Sequence, residues 1–454
     1  MQLFKKKYQM HYKVLLSLGV PIVIGQVGNI ILGFADTLMV GHHSVLELGA
    51  ASFVNTMFAL FLVFAMGFSY SVTPEVGSMF GRGEHEKIGP FMRNALAANG
   101  MLALILLAVL AVFYLCLPLM GQPEELLPLM LPYLLILIVS IPFMCVFNTF
   151  KQFFDAIGNT KTPMTVMVGG NVMNIVGNYV LIYGKCGLPE LGLLGAGMST
   201  LLSRIMMTVA LCTIYLGVKR YRVYAHGLLH SKFSAAAFRH VNALSWPLAL
   251  QMGMEAGAFS LVSVFVGWIG ATALAAHQVM LTLSQVFYMV YYGLGAAVAV
   301  RTSYFNGRKD FAAAKVNAMA GFHIILWVAC LASVPIFMLR HTVSYWFTDS
   351  ADVAQLVAVT IFPLIAYQFG DGMQCCYSNA MRGVADVKPM MYISFFSYFI
   401  MSLPFSWLFG IHWGYGLPGI WWAFPISLIC AGVLYYTFFQ RKLRREAAAA
   451  GVEL

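Results

Sequence analysis

Apolar runs of a length that suits the hydrocarbon of a bilayer recur along the whole chain, at 14–40, 48–74, 91–116, 126–150, 163–184, 191–217, 242–268, 273–300, 317–339, 355–380, 390–411 and 415–439. Their type follows from backbone chemistry. An open strand in lipid would leave its N–H and C=O groups unpaired, whereas a helix satisfies them within the segment. The pattern predicts an all-α integral membrane protein with twelve transmembrane helices.

The same pattern repeats. A shift of 226 positions places Pro21 on Pro247, Gly67 on Gly293, Gly81-Arg82 on Gly307-Arg308 and Pro163 on Pro389. Six spans return the chain to its starting side, so two such copies have parallel topology. The expected organisation is a six-helix lobe at 1–217, a connecting linker at 218–241 and a second, pseudo-symmetric six-helix lobe at 242–454.

Composition fits this reading: 60% of the residues are hydrophobic, 10% are charged, and mean hydropathy is +0.80. The net charge of +10 is a matter of topology. Lys5, Lys6, Lys7 and Lys13 precede the first run, Arg441, Lys442, Arg444 and Arg445 follow the last, and the even-numbered connections between carry most other cations. The odd-numbered connections hold only Lys185 and Arg340. Positive charge concentrated on one side predicts that both termini are cytoplasmic. A nucleic-acid partner is not needed to explain it. The first run is too long for a signal peptide and lacks a small-residue cleavage site, so it is expected to stay as the first helix. The eight cysteines form no C-x-x-C pair and predict neither a metal site nor a disulfide framework.

Against this background, carboxylates inside apolar runs stand out, because a charge there costs at least roughly 2.5–3.5 kcal/mol on insertion scales. Asp36 lies in G-F-A-D-T-L-M-V-G, Glu255 in Q-M-G-M-E-A-G and Asp371 in Y-Q-F-G-D-G-M. In the fifth run Asn171, Asn174 and Asn178 fall on one helical face. Such a face needs a polar partner, and Asp36 is the expected one, with Thr200 as a further oxygen. Carboxylate, amide and hydroxyl oxygens suit Na⁺ or a shared proton. Glu255 and Asp371 can bind a monovalent cation, bind a cationic substrate or share a proton, and Tyr367, one turn from Asp371, can add a cation–π surface. Asp155, Arg204 and His277 are read as gate or structural polar residues. His277 titrates near neutral pH if exposed and packs as a satisfied ring if buried.

Taken together, G-F-A-D-T-L-M-V-G with E-L-G-A-A-S (33–52), F-D-A-I-G-N-T-K-T-P-M (154–164), N-x-x-N-x-x-x-N (171–178), G-L-L-G-A-G-M-S-T-L-L-S-R (192–204) and L-A-A-H-Q (274–278) resemble the multidrug and toxic compound extrusion (MATE) family, on its NorM-type branch. The resemblance implies an efflux antiporter with two six-helix lobes, exchanging an entering cation for a departing drug by alternating access. It also implies ion coupling and substrate binding at Asp36, Glu255, Asp371 and Tyr367, with Asn174 and Asn178 as fifth-helix polar positions. Some relatives have a second carboxylate where this chain has Asn178, so a two-carboxylate site does not carry over to that lobe.

The resulting expectation is a cation-coupled exporter of organic, expectedly cationic, or other small amphipathic drugs. It would use Na⁺ or H⁺ as the transported ion, at Glu255 and Asp371 or at Asp36 and Asn178, with no other cofactor. The partners expected are drug and bilayer, without nucleotide or nucleic acid, and the protein is expected to act as a monomer. Its place would be the plasma membrane, the inner membrane in a Gram-negative cell. Neither G-x-x-x-x-G-K-[ST], H-E-x-x-H nor G-x-S-x-G occurs, so ATP-driven and enzymatic readings find no motif. The alternative is a flippase for lipid-linked saccharides, from the same broad superfamily, but that activity calls for a cationic cavity and only Arg204 offers one.

Overall fold

The computed structural model describes residues 2–121 and 123–452, and side chains from residue 8 onward. The side chains of Lys5, Lys6 and Lys7, and the outermost residues Met1 and Leu454 of the two sequence lobes, lie outside the described residues.

Among the described residues, twelve helical spans are long and apolar enough to cross a membrane, one on each apolar run. The first copy comprises α1 (Gln2–His43), α2 (Val45–Ser69) with its continuation α3 (Val72–Gly81), α4 (His85–Cys116), α5 (Leu127–Ala156), α6 (Lys161–Ile182) and α7 (Leu193–Gly217). A short connecting helix, α8 (Arg222–His230), leads to the second copy. This has α9 (Ala235–Ile269), α10 (Ala271–Gly307), α11 (Phe311–Met338) and α12 (Ala351–Gly383). Its fifth span starts as α13 (Val387–Ser394) and runs through π-helical stretches Phe395–Ser402 and Leu408–His412 on either side of α14 (Leu403–Trp407). The last span is α15 (Gly416–Ala450).

Capping side chains mark several starts. Ser44, Asp310 and Ser350 accept from the backbone N–H of Glu47, Ala313 and Val353, each satisfying an orphan donor of the first turn. Leu104, Val112 and Leu115 of α4 and Trp327, Leu331 and Val334 of α11 point outward. In water this would be an aggregation surface; in a bilayer it is the lipid-facing one. Trp268, Trp346, Trp413 and Tyr415 are exposed at the ends opposite the basic connections, where amphipathic rings meet headgroups.

The duplication reaches down to individual turns. After α3, Gly83 N–H donates to the Phe80 carbonyl and Glu84 N–H to that of Met79; after α10, Lys309 and Asp310 do the same to Asn306 and Phe305. Every partner is displaced by 226, and Gly83 and Lys309 both hold positive φ, at 75° and 57°. The next basic turn differs slightly. Gly158 and Asn159 bond to Asp155 and Phe154, whereas Ala385 and Asp386 bond to Arg382 and Met381. That is an offset of 227, and the second turn is one residue shorter, so α6 and α13 start 226 apart again.

By contacts the chain forms two compact units, Ile24–Ala249, and Met1–Val23 with Leu250–Leu454. These part from the sequence boundaries 1–217, 218–241 and 242–454 just after Pro21 in α1 and Pro247 in α9. A helix-interior proline removes one ladder hydrogen bond and permits a bend, so a change of packing partner falls there naturally.

The 218–241 linker is largely folded. It holds α8, and from Ala235 it is the start of α9. Its α8 segment lies against α4 through a glycine contact: a Cβ on Gly89 would stand 2.7 Å from Gly227 Cα and from Leu228 N. Arg93 donates to the carbonyls of Leu229 and Ser231, and Asn94 Oδ1 accepts from Ser234 N–H at 3.1 Å. Gly89→Val is therefore expected to cost at least about 1–3 kcal/mol by overpacking. Thermal unfolding of the purified protein checks this, with faster proteolysis at 222–234 as the local readout and Gly169→Ala, whose Cβ meets open space, as the control.

Candidate functional site

In the unit Ile24–Ala249, α1, α6 and α7 bring polar side chains together. Glycines allow the approach: a Cβ on Gly28 would lie 3.0 Å from the Asn171 amide nitrogen, and one on Gly177 would collide with Ser199. Asn178 donates to Asp36 Oδ1. Asn171 instead donates to Asn29 Oδ1 at 3.2 Å. Both pairs are separated by 142 residues, as expected for parallel helices in constant register: seven residues on each helix advance the contact by about 10 Å. The asparagine face thus does not converge on Asp36 as the sequence suggests, because its members stand at different heights.

Asn174 lies between these levels and faces α7. Its Nδ2 donates to Thr200 Oγ1 at 3.3 Å and Ser203 Oγ at 3.2 Å, and its backbone carbonyl accepts from Ser199 Oγ at 2.8 Å. Thr200 is therefore tied to Asn174. Asp36 is half-buried, and the buried Oδ1 of Asn178 has no hydrogen-bond partner. Arg204 completes the surroundings. It donates to Ser140 Oγ at 2.5 Å and lies over the Phe58 ring at 5.5 Å. It makes no direct ion pair with Asp36, although its charge acts on Asp36 and Tyr133 through space. Asn29, Ser140 and Tyr133 were not singled out from the sequence, though the seven-residue step from Asn29 to Asp36, equal to that from Asn171 to Asn178, was available there.

The second group lies in the other unit. Glu255 on α9 is half-buried, while Asp371 and Tyr367 on α12 are buried. Glu255 approaches Tyr398 on the first π-helical stretch and Gln374 on α12. The Tyr398 hydroxyl nevertheless completes no hydrogen bond, nor do Gln374 Oε1, Asp371 Oδ2 or the Tyr291 hydroxyl. Asp371 lies within electrostatic range of Glu255, Tyr367 and Tyr291. Buried polar atoms are usually paired, and unpaired ones mark places where an ion, water or a moving proton is accommodated. Here they gather around two carboxylates.

Aromatic rings wall this group. Tyr367 meets Phe259, Trp421 and Phe424 edge to face at centroid distances of 6.5, 5.8 and 6.1 Å. Fully buried His277 fixes one wall: the Trp421 indole N–H donates to its Nδ1 at 3.1 Å, so its Nε2 carries the proton and donates to Ser263 Oγ at 3.1 Å. It is a satisfied, neutral packing ring. The glycines beside Asp371 serve helix packing, since a Cβ on Gly370 would meet Leu428 of α15 at 3.1 Å and one on Gly372 would meet Ile325 of α11 at 2.7 Å. Gly257, two residues from Glu255, faces open space.

Asp155 is set apart from both groups. It pairs with Lys151 at 2.9 Å, one turn earlier on α5, both side chains being buried. Among the described residues no set of three or more His, Cys, Asp and Glu side chains gathers as a metal site. What the two groups offer is a carboxylate with amide and hydroxyl oxygens in one unit and a carboxylate pair with tyrosine and amide neighbours in the other.

A duplicated six-span helical bundle with acids inside both copies defines a multi-pass membrane protein with the architecture of a secondary transporter. The MatE family model matches twice, over residues 21–180 and 247–408, and the two starts are again 226 apart. The chain belongs to the MatE family. It is 26% identical over 436 residues to the "Probable multidrug resistance protein NorM" of Photorhabdus laumondii, covering 95% of this chain and 96% of that one. Its identity to the protein of the same description from Xanthomonas axonopodis pv. citri is 28%, over 95% of this chain and 94% of the relative. The fold matches a crystal structure of MATE in the bent conformation, with a TM-score of 0.89 and 17% identity over 98% of this chain and 99% of that chain. It also matches a MOP superfamily transporter from Pyrococcus furiosus, with a TM-score of 0.84 and 17% identity over 96% of each. That structure is described as having a binding pocket of reversed polarity that suggests a different function.

Proposed function

We propose that this protein is a cation-coupled multidrug efflux antiporter of the plasma membrane, with both termini in the cytoplasm, and that it has no enzymatic activity. The observation that carries this reading is the pair Glu255 and Asp371, two carboxylates with unpaired tyrosine and glutamine atoms around them and, among the described residues, no cationic side chain bonded to either. A static structural role would favour a paired acid, since an unpaired buried charge is costly. A site that alternately takes up and releases a cation has reason to keep its acids free of cationic partners. Names of relatives at 26–28% identity support drug export as the activity.

In the proposed cycle, Na⁺ or H⁺ enters from outside and neutralises the acids, releasing a bound organic cation and favouring the inward-facing state. Competition for shared carboxylates suffices for coupling, because ion and drug then bind the two states differently. Glu255, Asp371 and Tyr367 are proposed to serve both ion and drug. Asp36 with Asn178 is proposed as the second ion-binding position, with Asn174 and Thr200, bonded to each other one turn away, bracing it.

The test is efflux of a fluorescent organic cation from vesicles holding the purified protein. A Na⁺ gradient and a pH gradient are imposed separately, each with the other ion clamped. Export driven by one of them is expected. Failure of both overturns the antiport reading, and translocation of a lipid-linked saccharide in place of the drug would establish the flippase alternative.

A further inference from the structure

The end of α15 carries a feature that ion and drug exchange does not use. A stripe of buried residues, Tyr435, Phe439, Leu443 and Ala447, holds this helix to its unit well past the last apolar run. Arg441, Arg444 and Arg445 on the remaining faces are exposed. Two cavities open beside them. One, of about 460 Å³, lies between α15 and the start of α13, lined by Arg441, Arg444, Arg445, Phe438 and Asp386. The other, of about 280 Å³, lies towards α11, lined by Lys315, Tyr436, Gln440, Arg441 and Arg444.

Arg441 and Arg444 are common to both cavities. Among the described residues neither makes an ion pair, whereas Lys442 next to them is bound to Glu446 at 3.0 Å. Among the described residues Asp386 is the only acid lining either cavity, against three arginines and Lys442 in the same cavity. Gln440 is 9% exposed, and its buried Nε2 has no acceptor. With one residue, Gln440, between, the arginines follow on Phe438 and Phe439, which end the apolar run, and this is the depth at which a helix leaves hydrocarbon for headgroups.

We infer that the end of α15 binds the headgroup of a phospholipid carrying two phosphates, one seated in each cavity, with Arg441 and Arg444 bridging them. Arginine suits this ligand because its planar fork meets phosphate oxygens bidentately. Phe438 and Tyr436 beside the cavities supply surface for the first acyl carbons. Basic pockets between helices at the membrane face are places where such headgroups bind. The inference is independent of transport, since it involves neither Asp36 nor the Glu255 group.

The test measures phospholipid retained by the full-length protein after equilibration in mixed micelles of phosphatidylcholine containing either diphosphatidylglycerol or phosphatidylglycerol at equal phosphate. Preferential retention of the diphosphate lipid is expected. Arg441→Gln with Arg444→Gln should weaken it about twenty-five-fold, taking roughly fivefold per arginine at a membrane surface. Arg445→Gln and Lys315→Gln, each touching one cavity only, should cost about fivefold apiece and serve as the readout if the double variant does not fold. Lys219→Gln with Arg220→Gln removes equal charge from the connection before α8 and should change nothing. Equal retention of both lipids, displacement by millimolar inorganic phosphate, or equal loss in the Lys219/Arg220 variant would overturn the inference.

Discussion

Asp371→Asn is expected to abolish cation-driven drug export in reconstituted vesicles while the protein still folds. The side chain is only 2% exposed, one of its oxygens has no partner, and asparagine has nearly its shape. What the substitution removes is the charge that a cation would neutralise. Removing an unpaired acid from a buried position also removes a desolvation cost, so the variant should be at least as thermally stable as the parent. Coupling free energies of about 1–3 kcal/mol correspond to factors of about 5 to 150, and a loss in that range is expected in the drug gradient held at steady state. Glu255→Gln should do the same. The double variant should be hardly worse than either single one, because residues acting as a unit are not additive. Undiminished export in both single variants would remove this pair from the mechanism, and a collapse in stability would mean that Asp371 is structural after all.

The membrane-spanning architecture was legible in the sequence for a simple reason. Each apolar run must reach across the bilayer and each basic connection must stay out of it, so length and charge alone constrain the twelve spans. The duplication was legible because prolines and glycines keep their spacing: Pro21 and Pro247, or Gly81 and Gly307, preserve the offset that the turn hydrogen bonds share. Site composition was partly legible. A carboxylate in an apolar run announces itself, as Asp36, Glu255 and Asp371 do. Its neighbours do not, because a tyrosine such as Tyr291 or Tyr398 in an aromatic-rich helix looks like any other packing residue until another helix brings a carboxylate to it. Heights along a helix are the other blind spot. Asn171, Asn174 and Asn178 share a face, yet only packing against α1 and α7 assigns them to Asn29, to Thr200 and Ser203, and to Asp36.

The two copies have also diverged at equivalent places. The position 226 before Glu255 is Asn29, and the position 226 after Asp36 is Val262, which is fully buried. Each copy therefore keeps one acid on its first helix, but the acid of the first copy stands two turns further along, about 10 Å at the helical rise. A symmetric ancestor with one acid per copy at the same height would have given two equal sites. The present chain offers two unequal ones, a lone carboxylate held by an amide and a carboxylate pair walled by aromatic rings.

That inequality makes Asn178 the most informative position in the first unit. Asn178→Leu leaves Asp36 without its amide donor, and losing a hydrogen bond to a charged group should cost about 1.5–3 kcal/mol. Asn178→Asp has a different signature. It sets a second carboxylate against Asp36 where the amide had donated, and two like charges so close are held together only by a proton between them. As pH rises that proton must leave, so the folded state of this variant loses stability relative to the parent: it holds a proton that the unfolded chain has already released. Thermal unfolding between pH 6 and pH 9 should show the gap between Asn178→Asp and the parent widening upward, while the Asn178→Leu gap stays nearly constant. A constant gap for both would mean that Asp36 and residue 178 do not act on each other as a pair. Drug export by Asn178→Asp should weaken over the same range if Asp36 takes part in coupling, and should follow the parent if the Glu255 and Asp371 group carries the ion alone.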